Sequence, residues 1–266
     1  IKDIVKKYSG FVSYGIYFHP EATKNDKGEL ETKPEERLND KTALWRQSEK
    51  DVKEEEYKEF YNVVCHEGDE PAAWNHSHAE GSQEFWSLVY IPSKAPFNIW
   101  HNDALHGLKL YVKKVFIMDD CKELLPPWLR FVRGVVDSED LPLNVSREIL
   151  QSNKIITNIR KHVIKKVLDS LQNMADKEAD KYAAWWKELG MVLKEGFYMN
   201  WEHLDELKKL LRFESTKTAA DALVSLDEYV KNMPEGQKEI YYLIGEKNAI
   251  KGKPMLEAFK AKGYEV

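Results

Sequence analysis

Cysteine is almost missing from this chain of 266 residues: Cys65 and Cys121 stand far apart, neither in a C-x-x-C pair. That spacing excludes a disulfide framework and a zinc ribbon, and it fits a reducing compartment. Long apolar runs are missing too. No stretch reaches the roughly 20 residues of a membrane-spanning helix, and the opening run Ile1-Lys2-Asp3-Ile4-Val5-Lys6-Lys7 has no signal-peptide core, so a soluble protein is expected. Excess positive charge is absent as well: 40 Lys and Arg face 45 Asp and Glu, a net charge of -5, which argues against general affinity for nucleic acid. Phosphate loops of the G-x-x-x-x-G-K-S/T and G-x-G-x-x-G kinds do not occur, nor does a G-x-S-x-G nucleophile elbow. The chain therefore carries no complete nucleotide pocket of either kind, and its scattered Ser, His and Asp residues suggest no triad.

What is present is enough apolar and aromatic material, 42% and 12%, to bury the core of one large or two modest domains. The chain opens without methionine and ends on a strand-like pattern, which reads as a piece of a longer protein. Phe11–Phe18 is β-branched and aromatic and stops at Pro20, a strand pattern. Residues 21–40 are polar, with the turn signal Asp26-Lys27-Gly28. Ser48 followed by Asp51 and Glu54 to Glu56 predicts a helix start, with Val52, Tyr57, Phe60 and Tyr61 facing a core. Phe85–Pro92, Leu108–Phe116 and Leu129–Ser138 read as further strands. From Asn153 a helix is expected, with Ile155, Ile156, Ile159, Val163, Ile164, Val167, Leu168 and Leu171 on one face. Its other face carries Lys154, Arg160, Lys161, Lys165 and Lys166, a solvated face or a positive surface toward an anionic partner. Residues 174–212 read as helices. Then Glu239–Gly245 reads as a strand, Met255–Lys262 as a helix, and Gly263–Val266 as the start of another strand. Helices between strands give an α/β expectation: a large α-β-α sandwich over 1–173, a helical connector over 174–212 and a smaller α-β-α unit over 213–266.

Two groups carry candidate chemistry. His66, His76 and His78 form an H-x-H cluster without acidic or cysteine ligands at a recognisable spacing, a weak metal signal. The run from Leu141 to Gln151 is more informative. Pro142 favours a loop, Ser146 is a good N-cap, and Arg147 would stand beside free backbone N–H groups at a helix start, favouring an anion such as phosphate. Pairing of Arg147 with Glu148 or Asp140, or simple solvation, is the competing reading. Gln151, four residues on, would share its face, and Asn144 lies close by.

Leu141 to Gln151, together with Tyr8–Val12, Ala43–Arg46, Glu56–Tyr61, Tyr90–Phe97, Leu110–Asp120, Leu210–Thr216, Glu235–Tyr242 and Lys262–Val266, resembles the middle domain of the 90-kDa heat-shock chaperone family, most like its bacterial members. The resemblance runs over essentially the whole chain. It implies a segment of an ATP-dependent folding machine, lying between an amino-terminal ATPase domain and a carboxy-terminal dimerisation domain. Arg147 would contact the γ-phosphate of ATP, with Gln151 and Asn144 ordering the loop or binding the phosphate end. ATP and Mg2+ would be held mainly by the amino-terminal domain, so no hydrolysis is expected from these 266 residues alone. Client proteins would be met partly through Trp45, for which packing under a loop is the competing reading. The implied setting is the bacterial cytoplasm, or an organelle matrix, with homodimers in the full-length protein and neither nucleic acid nor membrane as partner. The alternative is a scaffold that binds clients or a cochaperone without a catalytic group. Two positions depart from the family pattern: Tyr14-Gly15, where proline usually follows the aromatic, and Trp86, where a basic residue is usual.

Overall fold

The computed structural model describes all residues except 1, 21–22, 25–29, 32–33, 40–41, 66–68, 98, 101–106, 144–152, 200–201, 220–221, 247–248 and 251. The chain divides into two compact units, residues 1–167 and 168–266.

The first unit is built on a five-stranded mixed sheet: β5 (Pro71–Ala79), β6 (Phe85–Pro92), β7 (Leu108–Val112), β8 (Val115–Cys121) and β9 (Arg133–Ser138). Their order is β5-β6-β9-β7-β8. Strand β9 lies in the middle, antiparallel to β6 and parallel to β7. A central position leaves both faces of β9 covered, so its residues are buried almost without alternation. Gly134 is required there: its φ is +140°, and an added Cβ would lie 2.2 Å from the carbonyl oxygen of Leu88 on β6.

Two helices cover the sheet. Helix α2 (Glu54–Cys65) turns Tyr57, Tyr61 and Val64 inward, onto Leu88, Tyr90, Tyr111 and Val135. It begins after a 3-10 turn at Glu49–Asp51 rather than at Ser48, and Glu56 accepts a hydrogen bond from the N–H of Lys53 (2.9 Å), satisfying a helix-end donor. On the other face, α3 (Lys154–Lys177) starts at Asn153, whose Oδ1 accepts the N–H of Ile155 (2.8 Å). Its residues Ile156, Ile159, Val163 and Ile164 are buried, as the apolar spacing predicts. His162 of α3 meets Ser77 of β5 (3.2 Å), which bonds Ser87 of β6 (2.8 Å), and its ring packs edge-on against Phe85.

Three strand expectations in this unit need correction. Within Phe11–Phe18 only Tyr17–Phe18 pairs, as β1 against β4 (Glu36–Arg37). Preceded by helix α1 (Lys2–Tyr8), residues 12–16 are held instead by buried Asn39: Nδ2 donates to the carbonyls of Val12 (3.0 Å) and Tyr14 (2.5 Å), and Oδ1 accepts from the Ile16 N–H (2.6 Å). One side-chain amide thus replaces a ladder. The Leu108–Phe116 strand is a hairpin, turning at Lys113 and Lys114, whose φ values are 52° and 66°. The Leu129–Ser138 strand begins only at Arg133, after a 3-10 turn at Pro127–Leu129.

The second unit contains α4 (Ala179–Lys194), α5 (Gly196–Met199), α6 (Leu204–Leu210), α7 (Leu226–Lys231) and α8 (Pro254–Ala261). Tyr182 on α4 anchors α6 by donating to the Leu210 carbonyl (2.6 Å). A full capping box, Ser225 with Glu228, opens α7. Residues 239–245 form no strand: the Tyr241 N–H donates to the Tyr229 hydroxyl (3.0 Å) instead of to a ladder, and among the described residues the unit has one isolated bridge, Phe213 with Val224. The segment borders a cavity of about 940 Å³ lined by Phe213, Tyr229, Tyr242, Leu243 and Leu256.

Replacing Gly134 by alanine forces overlap with β6 and is expected to lower stability by about 3 kcal/mol, read as a fall in the denaturation midpoint. His162 supplies a pH test. Burial, then Lys166 and Lys165, hold its imidazole below the ordinary histidine value of 6.5. The unfolded chain then takes the proton first, so stability present above pH 6.5 is lost as pH falls through 6.5 toward the lower folded value. Denaturation midpoints measured from pH 7.5 to 5 should flatten in His162→Gln relative to the parent.

Candidate functional site

The last turn of β9 and the residues after it, Asp137-Ser138-Glu139-Asp140-Leu141, form the root of the segment that carries Asn144, Arg147 and Gln151. Those three residues lie outside the described residues. The root itself is fixed in detail.

Asp137 has no solvent exposure, so its carboxylate needs donors on every side. Trp45 Nε1 donates to Oδ2 (2.9 Å), Arg46 Nε donates to the same oxygen (2.6 Å), and the Lys114 backbone N–H donates to Oδ1 (3.2 Å). Lys113 N–H donates to the Ser138 carbonyl (3.0 Å). The left-handed backbone at 113–114 is what turns these two N–H groups toward the end of β9. Arg46 also donates from Nη1 to Glu139 (2.6 Å), and its guanidinium lies 3.7 Å from the ring centre of Trp86. Burial works against the Arg46 charge, but the bonds to Asp137 and then Glu139 outweigh it, so its pKa is raised above the ordinary arginine value.

Beyond Asp137, Ser138 Oγ accepts the N–H groups of Asp140 (3.2 Å) and Leu141 (3.3 Å). Asp140 accepts the Glu84 N–H (2.6 Å), and the Glu139 N–H donates to the Glu84 carbonyl (3.0 Å). On the far side of the segment, Asn158 of α3 donates to Gln83 (3.2 Å). The β5–β6 turn therefore holds both the root of the segment and the start of the helix that receives it.

Trp45 is not a surface aromatic. It has no exposure, packs against Phe11 (4.7 Å), Tyr111 (4.8 Å) and Phe60 (5.7 Å), and is pinned at both ends. Its carbonyl can only accept, so His76 Nε2 carries a proton and donates to it (3.0 Å). His76 Nδ1 shares a hydrogen bond with the Tyr57 hydroxyl (2.7 Å). Burial, with Glu49 and Glu56, pushes the Tyr57 phenol up to about 12, which keeps the phenol protonated. The structure takes the competing reading for Trp45, a tryptophan packed in the core with its ring covered on both faces.

The histidine cluster dissolves in the same way. His76 spends both nitrogens on Tyr57 and Trp45, and His78 stacks on Trp86 at 4.0 Å between Glu80 and Glu84. His66 lies outside the described residues. Among the described residues no three His, Cys, Asp or Glu side chains are placed to hold a metal ion, and no helix is long and apolar enough to cross a membrane. Sequence reasoning missed Arg46 and Asp137. Their signal, a basic residue beside a tryptophan and an acidic residue ending an apolar strand, becomes specific only once 91 positions of chain bring them together.

Comparison with known proteins agrees with this architecture. The family model described as Hsp90 protein matches residues 20–266. The chain is 49% identical over its whole length to chaperone protein HtpG of Wolinella succinogenes and 50% identical to that of Aromatoleum aromaticum, in each case spanning 42% of the relative. In structure it resembles the middle domain of a heat shock protein of Plasmodium falciparum, with a TM-score of 0.73 and 34% identity over 84% of this chain and 86% of that one. The chain belongs to the Hsp90 family. It is an α/β middle domain of that family, and it spans less than half the length of its curated relatives.

Asp137→Asn keeps the shape but cancels the charge that Arg46 and Trp45 were placed to meet. A loss of about 3 kcal/mol is expected in denaturant titrations, with near-ultraviolet circular dichroism reporting a looser Trp45.

Proposed function

We propose that this chain is the middle part of an ATP-dependent chaperone and that it supplies Arg147 to the γ-phosphate of ATP bound in a separate amino-terminal domain, with Gln151 and Asn144 ordering the segment or meeting the phosphate end. The observation that carries this reading is the anchoring of the segment's root. Its described end is tied to the central strand through Asp137, and the receiving helix α3 begins with a basic, acid-free run from Lys154 to Lys166. A guanidinium delivered from such a root would offset the charge that develops in phosphoryl transfer. Because it arrives from another domain, hydrolysis waits for closure.

The sequence contains no phosphate loop of the two kinds sought. ATP and Mg2+ would be held by the amino-terminal domain of a longer protein working as a dimer in the bacterial cytoplasm or an organelle matrix. Client contact belongs to aromatics that remain exposed, such as Phe97, which is 98% accessible, and Trp100. Those same residues favour the second reading, a client-binding scaffold with no catalytic group.

Arg147→Ala in the full-length protein separates the two. Steady-state ATPase turnover should fall by about 100-fold while ATP affinity changes little, and turnover at the parental rate would leave only the scaffold. The isolated 266 residues should hydrolyse ATP at background.

A further inference from the structure

We infer that Arg46 is a positioning residue for the ATPase step: its guanidinium clamps Asp137 and Glu139 together and thereby sets the direction in which the Arg147 segment leaves the sheet. This rests on the role proposed for Arg147.

Asp137 and Glu139 are two apart, so at the end of a strand their side chains project to one side. One is the penultimate residue of β9, and the other is the first residue past it. A single forked guanidinium joins them, each at 2.6 Å. A lysine ammonium has no such fork and could hold only one of them well. The clamp is itself stiff. The Arg46 side chain is only 10% exposed, lies on Trp86, which is backed by His78, and follows Trp45, whose ring and carbonyl are both fixed. Without Arg46 the two carboxylates would repel each other across the exit. The Glu139 side chain, a third exposed, would turn toward solvent, leaving the exit held only by the bonds to Glu84 and Ser138.

A small misplacement of a catalytic group lowers turnover strongly even when folding is intact. A positioning role also has a distinct signature: residues acting through Arg147 lose their effect once Arg147 is gone. The test is steady-state ATPase of the full-length protein for Arg46→Lys, Glu139→Gln, Arg147→Ala, and each of the first two combined with the third. Arg46→Lys should lower kcat about 10-fold and Glu139→Gln about 3-fold, with KM for ATP within about 2-fold of the parent. Neither should lower the residual rate of Arg147→Ala further. Parental kcat in both single variants, or an equal fold-loss on the Arg147→Ala background, overturns the proposal while leaving the Arg147 reading intact. Full activity in Arg147→Ala overturns both. Glu139→Gln leaves the buried Asp137 pair untouched, so it decides the matter if Arg46→Lys folds poorly.

Discussion

The first unit depends on one buried carboxylate. Asp137 sits at the end of the central strand with no access to water, where an uncompensated charge would cost several kcal/mol. Its donors come from three places: the indole of Trp45, the guanidinium of Arg46 and the backbone N–H of Lys114. The demands of that carboxylate explain an otherwise odd hairpin. A two-residue turn with positive φ at both positions normally uses asparagine and glycine, yet here it is Lys113-Lys114. Left-handed backbone costs about 1–2 kcal/mol per such residue, and a hydrogen bond to a charged group returns about 1.5–3 kcal/mol. The turn is held because its N–H groups have Asp137 and the Ser138 carbonyl to meet.

The sheet then works as a wall with two different sides. Toward α2 it presents aromatic rings, with Tyr57 stacked on Trp74 and Tyr61 against Tyr90. Toward α3 it presents aliphatic strand residues and a small polar seam of Ser77, Ser87 and His162. The Arg147 segment joins the central strand to α3, so its two ends are set by the sheet and by the helix packed on one of its faces. Connecting segments with fixed ends are where binding residues are usually presented.

Much of this was legible in the residues. Phe85–Pro92 was expected as a strand because its apolar run is nearly unbroken, and that is the burial of β6 on two faces. The apolar spacing of α3 likewise marked its buried side. The misses share a cause: each depends on a partner distant in sequence. Residues 12–16 look like a strand, but Asn39 takes the bonds a neighbour would supply. Residues 239–245 have strand composition and no adjacent strand among the described residues. For Trp45, exposure and burial were equally compatible with its neighbours, because the deciding group, Asp137, is 92 positions away. Asn144, Arg147 and Gln151 rest on a motif and a family resemblance, a kind of signal that does not depend on packing, and they lie outside the described residues.

One electrostatic difficulty remains in the proposed site, and the structure answers it. The run Asp137-Ser138-Glu139-Asp140 places three carboxylates immediately before a segment meant to approach a phosphate, and like charges at that distance would repel the nucleotide. Each of the three is committed elsewhere. Asp137 is saturated by three donors, Glu139 by Arg46, and Asp140 by the Glu84 N–H. Arg46 offsets one of the three charges and the hydrogen bonds hold all three carboxylates in place, so the remaining negative charge has to be outweighed by cations further along the chain. A basic helix face follows on α3, with no acidic residue from Lys154 to Lys166. In the proposed role the acidic root would provide geometry and the basic run of α3 the field, so different residues would serve the two requirements of a phosphate-approaching arginine.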